Sequence, residues 1–125
     1  MVQVDISQLS GECNVWRETL RQYREELTND ETKLREIAGK SLSKEQLQDV
    51  EHLHNQFHIQ LINIHDLKQS IKVHDRKINF EKVAFNAHAN EDSYARHESL
   101  LEEYLSMQQT LEDLRSELKK KKKNI

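Results

Sequence analysis

From Val2 to Ile37, apolar residues recur alternately three and four positions apart: Val2, Ile6, Leu9, Cys13, Trp16, Leu20, Tyr23, Leu27, Leu34 and Ile37, with Asp30 the single polar member of the series. A mean spacing of about 3.5 residues holds these side chains on one seam of a helix, the pattern of a coiled coil. Asp5 and Gln8 have capping-box spacing, and Val4 and Leu9 stand at staple positions. A first helix is therefore predicted over about 5–38, with Gly11 a point where its opening turns can fray. Gly39 is expected to end it in a left-handed cap.

A second start is marked by Ser43 and Gln46 at capping-box spacing, with Leu42 and Leu47 as a staple. Beyond it one position repeats every seven residues: Val50, Phe57, Ile64, Ile71, Ile78 and Phe85. The spacing predicts a helix over about 44–88. Leu47, Leu53, Leu61, Leu67 and Val83 widen its stripe, while Ile59, Ile62, Val73 and Phe80 fall outside it. A helix apolar on more than one side is expected to be central, touching both neighbours.

A third repeat, Tyr104, Leu111 and Leu118, cannot be reached from Phe85 in whole heptads. The polar stretch from His88 to Ser93 absorbs the slip, and Asn90 or Asp92 is positioned to cap a helix over about 92–120, followed by a Lys-rich tail over 119–125. The competing arrangement is one kinked helix from Ser43 onward. The fold expected for residues 1–125 is all-α: a single-domain, elongated, antiparallel three-helix bundle with a long central helix.

Composition agrees. The chain has no proline, two glycines, 33% charged residues and 35% hydrophobic ones. Strand-rich folds need turn punctuation that such a chain lacks, whereas long helices combine much charged surface with a thin core. At a formal net charge of −3, a nucleic-acid partner is not implied for the chain as a whole. No apolar run spans a membrane, and Met1–Asp5 does not read as a secretory leader. A lone cysteine, Cys13, fits a reducing cytoplasm.

Helix lengths carry the first functional expectation. Antiparallel hairpins turning near Ser41 and Asn90 would place Asp5 beside Lys77 and Leu118 beside Asn63. The central helix, about 65 Å long, would then outrun both neighbours. Leu47, Val50, Leu53 and Phe57 at one end, and Phe80, Val83 and Phe85 at the other, are the expected partner-interface residues. Each large apolar side chain left wet forgoes roughly 1.5–3 kcal/mol, so a homodimer or a helical protein partner is expected to cover them. A bent central helix giving matched lengths is the alternative.

Six of seven histidines fall between His52 and His88, and His97 begins the third helix. His54 and His58 share a helical face, and Glu25 is the carboxylate expected nearest them; these are the candidate ligands for a metal. No Glu-x-x-His repeat or fourth helix accompanies them, as a ferritin-like or hemerythrin-like bundle requires. Protonation of all seven histidines would carry the chain from −3 to about +4 and is expected to weaken it below about pH 6. Cys13 is expected to be a buried, inert thiol, with His65 the histidine nearest its facing turn. Lys119–Lys123 reads as a solvated, frayed tail. With no phosphate loop, nucleophile elbow or cofactor motif, the expected function is a non-enzymatic, self-associating interaction or assembly module, the alternative being a small metal-binding His/Glu bundle.

Overall fold

A computed structural model describes residues 6–84 and 89–123. These form three α-helices, α1 (Ile6–Ala38), α2 (Lys44–Ala84) and α3 (Glu91–Lys123), and no strand occurs among the described residues. The expected cap at Asp5 and staple at Val4, together with Val2, Phe85 and His88, lie outside the described residues.

Local chemistry sets the helix ends. At α2, Ser43 and Gln46 form a reciprocal box: the Gln46 amide donates to Ser43 Oγ at 3.2 Å, and the Ser43 amide donates to Gln46 Oε1 at 2.9 Å. At α3, Asn90 Oδ1 accepts from the Ser93 amide at 2.8 Å, so Asn90 is the cap rather than Asp92. The end of α1 differs from expectation. Gly39 does not adopt a left-handed backbone; the last turn tightens, with Gly39 donating to Glu36 O at 3.2 Å and Lys40 donating to Ile37 O at 3.1 Å.

The helices run up, down and up, so α1 and α3 are parallel and α2 is antiparallel to both. α2 contacts both neighbours, whereas α1 and α3 meet more sparsely. The heptad positions converge on one core in which Ile6, Cys13, Leu20, Leu27, Leu53, Phe57, Ile64, Ile71, Ile78, Leu100 and Leu111 are fully buried. Asp30, the polar exception on the first seam, is also buried. Arg115 of α3 explains it: Nε donates to Asp30 Oδ2 at 2.7 Å while NH1 donates to Glu26 at 2.8 Å. That pairing raises the Arg115 pKa above its ordinary value, through the hydrogen bond to Asp30 first.

The mismatch in length shrinks, to 41 residues in α2 against 33 in each neighbour. Lys121 bonds Asp49 at 3.1 Å, and Lys82 bonds Ser7 at 3.1 Å, so both flanking helices reach farther along α2 than hairpins turning at Ser41 and Asn90 allow. α3 begins at Glu91 and runs on through Lys123, so the lysine cluster is helical rather than frayed. Ser93 against Glu81 and His97 against His74 set α3 farther along α2 than a hairpin turning at Asn90 would. Consequently Val50, Leu53 and Phe57 are buried by their own chain and offer no surface to a partner.

Candidate functional site

Two features of the bundle exceed what packing needs: a polar layer inside it, and an apolar seam outside it.

The polar layer lies near the α2–α3 turn, where the heptad positions of the three helices bring Cys13, His74 and His97 inward. All three are buried, and one ligand atom from each lies within 4.8 Å of the other two. His97 is held on three sides. Its Nε2 is 2.6 Å from Glu12 Oε2, its Nδ1 is 3.0 Å from His74 Nε2, and its ring lies 4.6 Å from that of Trp16, which stacks in turn on Tyr104. Glu12 accepts a proton-mediated bond only from Nε2–H, so a neutral His97 presents Nδ1 as an acceptor. In that tautomer His74 donates through Nε2–H. Its Nδ1 is buried without a hydrogen-bond partner.

Burial, reinforced by His97 and Arg96, pushes the His74 pKa down to about 4, so the imidazole is neutral at physiological pH. Burial also raises the Cys13 thiol to about 12, with Asp75 and Glu12 adding to the effect. A ring of polar contacts surrounds the layer: Ser10 donates to Asp75 at 2.7 Å, Arg17 lies 3.6 Å from Asp75, and Ser93 donates to buried Glu81 at 2.8 Å.

The histidines singled out by spacing stand elsewhere. His54 and His58 are exposed, and His54 approaches Glu31 at 3.8 Å rather than Glu25. Among the described residues, neither joins a group of three potential ligands. His65 is exposed on α2, and Cys13 has His74 and His97 as its neighbours instead. A hairpin turning near Asn90 would set His97 near Ala84; in the structure His97 lies beside His74.

The outer seam belongs to α2. With Val50 and Phe57 at the first core position of the heptad, Ile59, Val73 and Phe80 occupy the third position and Ile62 and Val83 the sixth. These are the positions farthest from the core, and in a solvated bundle they are polar. Here they are 45% (Ile59), 49% (Ile62), 64% (Val73), 69% (Phe80) and 85% (Val83) exposed. The second apolar side of α2 therefore faces solvent and not a neighbouring helix. Phe80 and Val83 are exposed because they point outward, while Leu47 is 44% exposed beside Val50.

No family model, curated protein or solved structure matches the chain. No helix among the described residues is long and apolar enough to cross a membrane.

Proposed function

We propose that the chain is a self-associating assembly module and that the outer seam of α2 is its contact surface. The observation that carries this reading is that the seam is complementary to itself. In an antiparallel helix pair, the first row of a seam faces the second row of its partner. Setting α2 against a second copy about a two-fold axis beside Ile71 places Ile59 opposite Val83, Ile62 opposite Phe80, Asp66 opposite Arg76 and Gln69 opposite Val73. Every large apolar residue meets an apolar or neutral one, and the two charged positions meet with opposite sign. Sliding by one heptad sets Ile59 against Arg76 or Asp66 against Val83, so one alignment is favoured.

The contact spans about 36 Å of helix at about 1.5 Å per residue. Covering these half- to mostly exposed side chains contributes roughly 1 kcal/mol each, enough to offset the entropy of association at micromolar concentration. The pairing is isologous, as two-fold dimers require. A single buried cysteine suits a reducing cytoplasm as the setting. Of the lysines at the α3 terminus, Lys121 is engaged by Asp49.

Sedimentation equilibrium on the full chain tests the reading. A dimer is expected at micromolar concentration, weakened by Phe80→Glu and by Asp66→Arg, and restored when Asp66→Arg is combined with Arg76→Asp. All these positions are solvent-facing, so circular dichroism should show unchanged helix content. A monomer throughout, or a dimer indifferent to both single substitutions, overturns it.

A further inference from the structure

We propose that Cys13, His74 and His97 form a binding site for a borderline-soft divalent cation, with zinc the ion their chemistry selects. The inference is independent of the outer seam of α2. One thiol and two imidazoles, all buried, are the donor set that favours zinc over magnesium or calcium. Ligands around a tetrahedral zinc stand about 3.3–3.6 Å apart, as follows from Zn–N near 2.05 Å and Zn–S near 2.3 Å. The three atoms here lie within 4.8 Å of one another, and the two imidazole nitrogens are already 3.0 Å apart. Closing on an ion requires side-chain movements of about 1 Å.

A further observation, at Glu12, points to a ligand. Its carboxylate holds Nε2–H of His97 at 2.6 Å and turns the Nδ1 lone pair of that ring inward, the carboxylate–histidine–metal relay that fixes tautomer and ring orientation at zinc sites.

On binding, the Cys13 S–H bond breaks, its proton leaves to solvent, and the thiolate pair forms the Zn–S bond. The His74–His97 hydrogen bond is exchanged for two Zn–N bonds, each ring keeping one N–H. Three protein ligands leave the fourth position to water. Exposed His54 and His58 serve as the control for zinc collected by surface imidazoles.

Cobalt(II), a spectroscopic stand-in for zinc, is titrated into untagged full-length protein. The expected result is one equivalent bound, with tetrahedral visible bands and a sulfur-to-cobalt charge-transfer band that zinc abolishes by displacement. Cys13→Ala should remove the charge-transfer band, and Glu12→Gln should weaken zinc about 10–100-fold. The double variant His54→Ala/His58→Ala should change neither. An octahedral cobalt spectrum without charge transfer, or zinc affinity unmoved by Cys13→Ala, overturns the proposal. Circular dichroism checks the fold of each variant, and the wild-type cobalt spectrum alone decides should Cys13→Ala fail to fold.

Discussion

Asp30 and Arg115 should respond asymmetrically to substitution. Asp30 is 4% exposed and sits on the inward seam of α1, whereas the Arg115 side chain is 34% exposed and also bonds Glu26. Removing Arg115, as in Arg115→Ala, leaves a carboxylate in the core with no cation and no donor. Breaking a fully buried pair from one side costs roughly 3–5 kcal/mol. The half-solvated guanidinium lowers the worth of this pair, so about 2–3 kcal/mol is expected.

Asp30→Leu restores the apolar series between Leu27 and Leu34, and leaves Arg115 with Glu26 and water. Its expected effect is between zero and about 2 kcal/mol of stabilisation. The double variant Asp30→Leu/Arg115→Ala should then recover most of what Arg115→Ala loses. Urea unfolding followed by circular dichroism reads all four proteins, at one protein concentration so that association does not shift the midpoints. Equal losses from the two single substitutions would refute the reasoning, because they would mean that the ion pair itself, and not the orphaned carboxylate, sets the cost.

Mild acid should destabilise the metal-free protein through His74. Its folded pKa of about 4 lies below the ordinary 6.5, so the unfolded chain binds the proton more readily; stability is full above about pH 6.5 and falls as the pH approaches 4. Between pH 7 and 5 this one group should remove roughly 2 kcal/mol, read as a lower urea midpoint, and His74→Leu should flatten the profile. A profile unchanged by His74→Leu would contradict this assignment. Cys13, fully buried with its thiol raised to about 12, should resist alkylation in native metal-free protein at pH 8 and react at the rate of a free thiol in urea; rapid native labelling would refute its burial.

The heptads announced the three helices and most of the core, and the box at Ser43–Gln46 and the cap at Asn90 were visible because they are local. What escaped was longitudinal. A seven-residue repeat says which face of a helix turns inward but not how far one helix is slid along another. The polar run from His88 to Ser93 located a turn without saying that Ser93 would lie against Glu81, and that offset is what brings His97 to His74. Asp30 likewise broke the series without naming Arg115, 85 residues away. Ile59, Ile62, Val73 and Phe80 were legible as a second apolar side of α2. Whether their own chain covered them was a question of packing that periodicity does not answer.

Nearly repetitive rods are free to ratchet, and a ladder of leucines would tolerate several settings of α3. The charged pair and the imidazole pair remove that freedom together. Moved by seven residues, α3 would offer Gln108 or Lys122 to Asp30, and Asn90 or Tyr104 to His74. The two fastenings stand 18 residues apart on α3, about 27 Å, so one cannot hold while the other slips. Replacing both with leucine should give a harder-to-melt protein whose α3 occupies more than one setting, visible as multiplied amide resonances.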